Sequence, residues 1–155
     1  MKTILLGQKV KDIVSGLEGI VIIKAEYLHG STRITVQPPL HENKVPEAQY
    51  FDEPQLQVID AKKVIDCKIT QPIVELGINV KDPISSLEGV AIGRSVHLNG
   101  CARILIAPTE LDNDGKYMPG TWIDEPQVEV RKNKTVMPSS SGTGGPAPSR
   151  PSRAY

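Results

Sequence analysis

The sequence predicts an all-β protein made of two tandem small β-barrels from an internal duplication, followed by an extended C-terminal tail. Residues 6–38 align without a gap to residues 76–108, and fifteen of the thirty-three paired positions are identical, so one copy is the folding unit. Asp52-Glu53-Pro54-Gln55 returns as Asp124-Glu125-Pro126-Gln127, seventy-two positions on, which makes the second copy's long loop two residues longer. Within each copy the apolar runs are short, rich in β-branched residues and bounded by Gly or Pro, with no helical period.

In the first copy, Lys9-Val10-Lys11 alternates and runs into a turn at Ser15-Gly16. Residues 20–28 form a second strand between Gly19 and Gly30, and residues 32–37 a third, ended by Pro38-Pro39. His29-Gly30 between them is a hairpin signal. After a polar loop carrying Pro46, Tyr50-Phe51-Asp52 reads as a fourth strand, Glu53-Pro54 as a tight turn and residues 56–59 as a fifth. Five short strands with tight turns predict a closed barrel, which would leave few sheet edges exposed. Gly19 and Gly89 mark a positive φ or a close backbone approach. Leu17/Leu87, Ile22/Ile92, Leu28/Leu98 and Ile34/Ile104 are the expected core.

The division is residues 1–60 for the first barrel, 61–75 for a connector, 76–131 for the second barrel and 132–155 for the tail. The connector's Val64-Ile65-Asp66-Cys67-Lys68-Ile69-Thr70 has β composition and predicts an ordered link or an added strand. Units this small are marginal alone, so the copies are expected to pack on each other or on a partner. The tail is rich in Ser, Gly and Pro and has no apolar run able to build a core, which predicts an extended or disordered segment in isolation.

The chain's net charge is zero, but residues 132–155 hold Lys132, Lys134, Arg150 and Arg153 and no acid, so a +4 tail follows a −4 body. An acidic body argues against nucleic acid as partner. The N-terminal apolar run is cut short by Gly7-Gln8-Lys9, too soon for a signal peptide, and no stretch reaches the length of a membrane span. Two cysteines, Cys67 and Cys101, form no disulfide framework, in keeping with synthesis in a reducing cytosol.

No catalytic, metal or cofactor constellation stands out. Asp12, Glu18, Asp52 and Glu53, with Asp82, Glu88, Asp124 and Glu125, are read as turn caps and surface charges. Asp112-Asn113-Asp114-Gly115 is read as a β-turn, since it lacks the later ligands of a calcium loop. His29, His41 and His97 stand apart from one another and from the cysteines, and neither cysteine has a partner base in view. His97 takes the place of Tyr27, and Trp122 that of Tyr50. A peptide groove for proline-rich ligands would need an aromatic lining, and six aromatic residues in the whole chain are few for that.

Lys11-Asp12, Ser15-Gly16-Leu17-Glu18-Gly19, Tyr27-Leu28-His29-Gly30, Pro38 and Tyr50-Phe51-Asp52-Glu53-Pro54-Gln55-Leu56 together resemble a family of small virion-associated proteins of tailed bacteriophages. The second copy keeps Gly100-Cys101 and Trp122-Ile123-Asp124-Glu125-Pro126-Gln127, and departs at Pro83, Ser86 and Val96-His97. The resemblance covers both barrels but neither the connector nor the tail. It implies SH3-like barrels and a structural, non-enzymatic role in the virion, without cofactor. The expectation is a capsid decoration protein that binds phage capsid proteins, oligomeric or lattice-bound, with a neck, tail or baseplate component as the alternative and an intracellular binding module as the other class. The expected partner contacts are His29, Gly30 and Pro46, their counterparts Asn99, Gly100 and Tyr117, and Arg150, Arg153 and Tyr155 in the tail.

Overall fold

The computed structural model describes residues 3–68 and 74–131. It is all-β: ten antiparallel strands, two short 3-10 turns and no α-helix among the described residues. The first copy supplies β1 (Lys9–Asp12), β2 (Glu18–Tyr27), β3 (Arg33–Gln37), β4 (Gln49–Asp52) and β5 (Leu56–Asp60), with a 3-10 turn at Glu53–Gln55. The second supplies β6 (Asn79–Lys81), β7 (Glu88–His97), β8 (Ala102–Pro108), β9 (Thr121–Asp124) and β10 (Glu129–Val130), with a 3-10 turn at Glu125–Gln127. Each set runs in the spatial order fifth, first, second, third, fourth.

The expected closure does not occur. No ladder joins β4 to β5, or β9 to β10, and the ten strands form one open sheet. The reason lies in strand length. β2 has ten residues, but β1 covers only its first three, through Lys9↔Ile20, Val10↔Gly19 and Lys11↔Glu18. The uncovered half of that edge is taken by the other copy: β2 and β7 pair antiparallel from Ile23↔His97 to Tyr27↔Gly93. The two copies thus fuse through backbone hydrogen bonds, while β4, β5, β9 and β10 each have one partner strand only.

Each copy has its own core, and the two match at six of seven positions, Ile78 standing where the first copy has Gln8. Ile4, Leu6, Val10, Val21, Ile34, Val36 and Leu56 form the first; Val74, Ile78, Val80, Ala91, Ile104, Ile106 and Val128 form the second. Val96 and Leu98 of the second copy also pack on the first core, so that core is completed across the repeat boundary. Ile34, Ile104 and Leu28 are buried as expected, Leu98 is half-buried, and Leu17 and Leu87 pack at the core margins. Ile22 and Ile92 are not central. Register shifts between Val21 and Ile23, and between Ala91 and Gly93, place both residues at bulges, where alternation breaks and hands the core to Val21 and Ala91.

Gly19 and Gly89 serve close approach, not positive φ. A Cβ on Gly19 would come within 2.4 Å of the Gln37 carbonyl oxygen, and one on Gly89 within 2.0 Å of that of Ala107. The connector is ordered over its described part but adds no strand: the Val64 amide donates to the Gly7 carbonyl at 3.0 Å, and Cys67 packs on the first core. Ile69 and Thr70 lie outside the described residues, as does the tail.

Candidate functional site

Asp12 and Asp82 are buried caps of equivalent turns. The Asp12 carboxylate accepts from the Val14 and Ser15 amides at 3.3 and 2.7 Å and from the Ser15 hydroxyl. Asp82 accepts from the Ile84 and Ser85 amides at 3.1 and 3.2 Å, the Ser85 hydroxyl, and Gln127 Nε2 at 2.9 Å. These donors hold both carboxyls below the usual range, the serine hydroxyl contributing most, and Asp82 falls to about 2. Gly16 turns the first loop at φ 77° and Ser86 the second at φ 65°. Capped in this way, the turns carry Val14 and Ile84 into solvent, 79% and 78% exposed, with Ile13 beside Val14.

Glu125 corrects the reading of the acidic positions as surface charges. It is buried in a bidentate pair with Arg94, Nε to Oε2 at 2.7 Å and Nη2 to Oε1 at 3.0 Å. The equivalent pair in the first copy, Lys24 with Glu53 at 3.4 Å, is looser and more exposed. Asp112 does form the expected turn, its carboxylate accepting from the Asp114 and Lys116 amides at 2.9 and 2.8 Å.

The predicted contact residues are spread over the surface instead of forming one site. His29 and Gly30 sit at the tip of the β2–β3 hairpin and Asn99 and Gly100 at that of β7–β8, where Asn99 Oδ1 accepts from the Cys101 amide at 3.0 Å. Pro46 lines a cleft of about 750 Å³ between the Asp12 turn and residues 38–49, floored by Leu17 and Phe51. Tyr117 bridges to Leu111 in the second copy's long loop. Arg150, Arg153 and Tyr155 lie outside the described residues.

What the structure does bring together was not among those predictions. Strands β4, β3, β2, β7, β8 and β9 form a continuous six-stranded stretch centred on the repeat junction. Register places one residue from each strand in a straight cross-strand row, Asp52, Arg33, Ala25, Ser95, Arg103, Asp124, which is palindromic except for Ala25 and Ser95 at its centre. Strand alternation puts this row on the face opposite Lys24 and Ile34, away from the first core. Small residues at its centre leave a groove of about 280 Å³, walled by Tyr27, Tyr50, Trp122, His97 and the two arginines.

Half of the chain's six aromatic residues stand in this groove. Tyr27 and Trp122 meet edge to face, centroids 6.3 Å apart at 73°. Gly93 makes room for them, since a Cβ there would lie 3.2 Å from Tyr27 Cδ1 and 3.4 Å from Trp122. Arg33 pairs with Asp52 at 3.6 Å and Arg103 with Asp124 at 2.9 Å. Burial lowers the His97 pKa, Arg103 adding to the effect and Asp124 opposing it. Burial likewise raises that of Tyr27, partly offset by Arg33. The groove is therefore charge-balanced and aromatic-walled, suited to ring stacking more than to capture of an anion. The equivalences Tyr27/His97 and Tyr50/Trp122 were visible in the sequence; the register that gathers all four was not.

Comparison of the chain with protein-family models, curated proteins and solved structures gives no match.

Proposed function

We propose that the chain is a structural, non-catalytic component of a tailed-phage virion, a capsid decoration protein that holds the head lattice through its loops and C-terminal tail. Five short antiparallel strands per copy, with a 3-10 turn ahead of the last, support an SH3-like reading of each unit. The observation that carries the function is the pairing of two presentation sites on one body. Val14 and Ile84 stand exposed on turns already fixed by Asp12 and Asp82, and the β2–β7 ladder fixes one turn relative to the other. Exposed apolar side chains on rigid supports fit a protein partner. Two such contacts on one rigid body reinforce each other when the partner surface repeats, as a capsid lattice does. The tail, basic against an acidic body, adds a third contact across a neighbouring subunit.

The test is mass spectrometry of gradient-purified particles, counting this chain against the major capsid protein. Decoration requires copy numbers comparable to the capsid protein. A small, ring-sized number would move the protein to the neck or baseplate, and absence from particles would overturn the virion reading.

A further inference from the structure

The groove at the repeat junction matches in chemistry and length a segment this chain itself carries. Residues 145–153 read Gly-Pro-Ala-Pro-Ser-Arg-Pro-Ser-Arg, with three prolines within the six residues 146–151. Proline-rich segments are taken up as polyproline II helices on aromatic-lined grooves, because the extended helix is preformed and its rings stack on flat side chains. With three residues per turn, Pro148 and Pro151 share one edge of that helix and Arg150 and Arg153 another. Residues 146–153 in that form span about 22 Å. The six-strand row from Asp52 to Asp124 crosses five strand spacings, about 24 Å.

We propose that the groove formed by Tyr27, Tyr50 and Trp122 around Ala25 and Ser95 is the receptor for residues 145–153 of a neighbouring copy. The inference deepens the reading above, resting on its tail contact, and names the surface that tail meets. Proline rings sit against the aromatic walls over the small floor residues, and the tail's arginines share the partly exposed carboxylates Asp52 and Asp124, which end the row beyond the groove lining, with Arg33 and Arg103. The groove is itself charge-balanced, and the body's −4 favours the approach of a tail of +4. The near-palindromic row lets the segment enter from either end. The cleft beside Pro46 is larger but has a single aromatic, Phe51, which is already engaged in the first core, so it offers no such platform.

Trp122 is the chain's one tryptophan and lies in the groove, so its fluorescence reports occupancy directly. The full chain carrying P146A, P148A and P151A is titrated with a synthetic peptide of residues 143–155. The expected result is a saturable blue shift of Trp122 emission with reduced acrylamide quenching, and no effect from a scrambled peptide. Adding Y50A to the receptor, an exposed position outside both cores, weakens binding by about ten-fold or more. No saturable change at millimolar peptide, or equal affinity with and without Y50A, overturns the assignment. Particle copy number is measured separately, so a failed titration with the protein still counted on particles removes the groove and leaves the virion reading standing.

Discussion

Ala25 lies directly opposite Ser95 in the β2–β7 ladder, and the two are the same position in the two copies. Every other pair in the ladder is placed symmetrically about them: Ile23 faces His97, Tyr27 faces Gly93, and the Leu28 amide bonds the Ile92 carbonyl as the Leu98 amide bonds that of Ile22, both at 2.8 Å. The chain therefore contains a self-complementary, dimer-like contact made between its own halves, in the manner of an isologous two-fold interface. What is presented on one copy is presented again on the other, in a fixed relation.

The buried ion pair should be the more demanding of the two equivalents. Substituting Glu125→Ala leaves the Arg94 guanidinium buried without its partner and is expected to cost about 3–5 kcal/mol. Replacing both members, Arg94→Met with Glu125→Leu, should recover most of that loss. Glu53→Ala breaks the longer Lys24 contact and the Ile4 amide bond but leaves Lys24 Nζ donating to the Ile4 carbonyl at 3.1 Å, and is expected to cost about 1–2 kcal/mol. Urea unfolding of the natural chain and the three variants checks the ranking.

Acid should loosen the turns in a defined window. Asp82 has a folded pKa of about 2 against an ordinary 3.8, so between those values the unfolded chain binds more protons and stability rises with pH. The contribution is complete above the unfolded value and is lost as pH falls to about 2; Asp12 acts in the same direction. Asp82→Asn should lower stability at neutral pH and flatten the stability profile between about pH 4 and about pH 2, measured by urea unfolding across that range.

The exposed turn residues should matter for attachment and not for folding. Val14→Ser and Ile84→Ser remove apolar surface that is mostly exposed already, so each should leave stability within about 0.5 kcal/mol. Each is expected to weaken particle binding by about ten-fold, and the double variant by more than either alone. Equal particle occupancy for the double variant and the natural chain would separate these turns from the contact.

Much of the fold was legible because it is local. Gly19, Gly30 and Pro38 bracket strands whose composition is unmistakable, and the duplication confirms each of them a second time. What escaped depends on register. A single extra residue at Ile22 and Ile92 moves the core to Val21 and Ala91, and no alternation count reveals a bulge. Closure was expected because a five-strand unit has to settle its edges, and nothing local says that β2 outruns β1 and offers its free half to β7. Glu125 read as a surface charge because its partner, Arg94, is thirty-one residues away. The groove was hidden by counting: six aromatics are few across the chain, yet three of them converge once Ala25 meets Ser95.

The two copies form one body through the β2–β7 ladder, and native-state hydrogen exchange reads that cooperativity amide by amide. The Leu28 and Leu98 amides donate across the repeat boundary. If the copies unfold as a unit, both amides exchange only through global opening, with protection equal to that of the Val21 amide beside the first core. Exchange at Leu28 and Leu98 much faster than at Val21, with each half still protected internally, would show two independent domains that merely touch and would contradict the account.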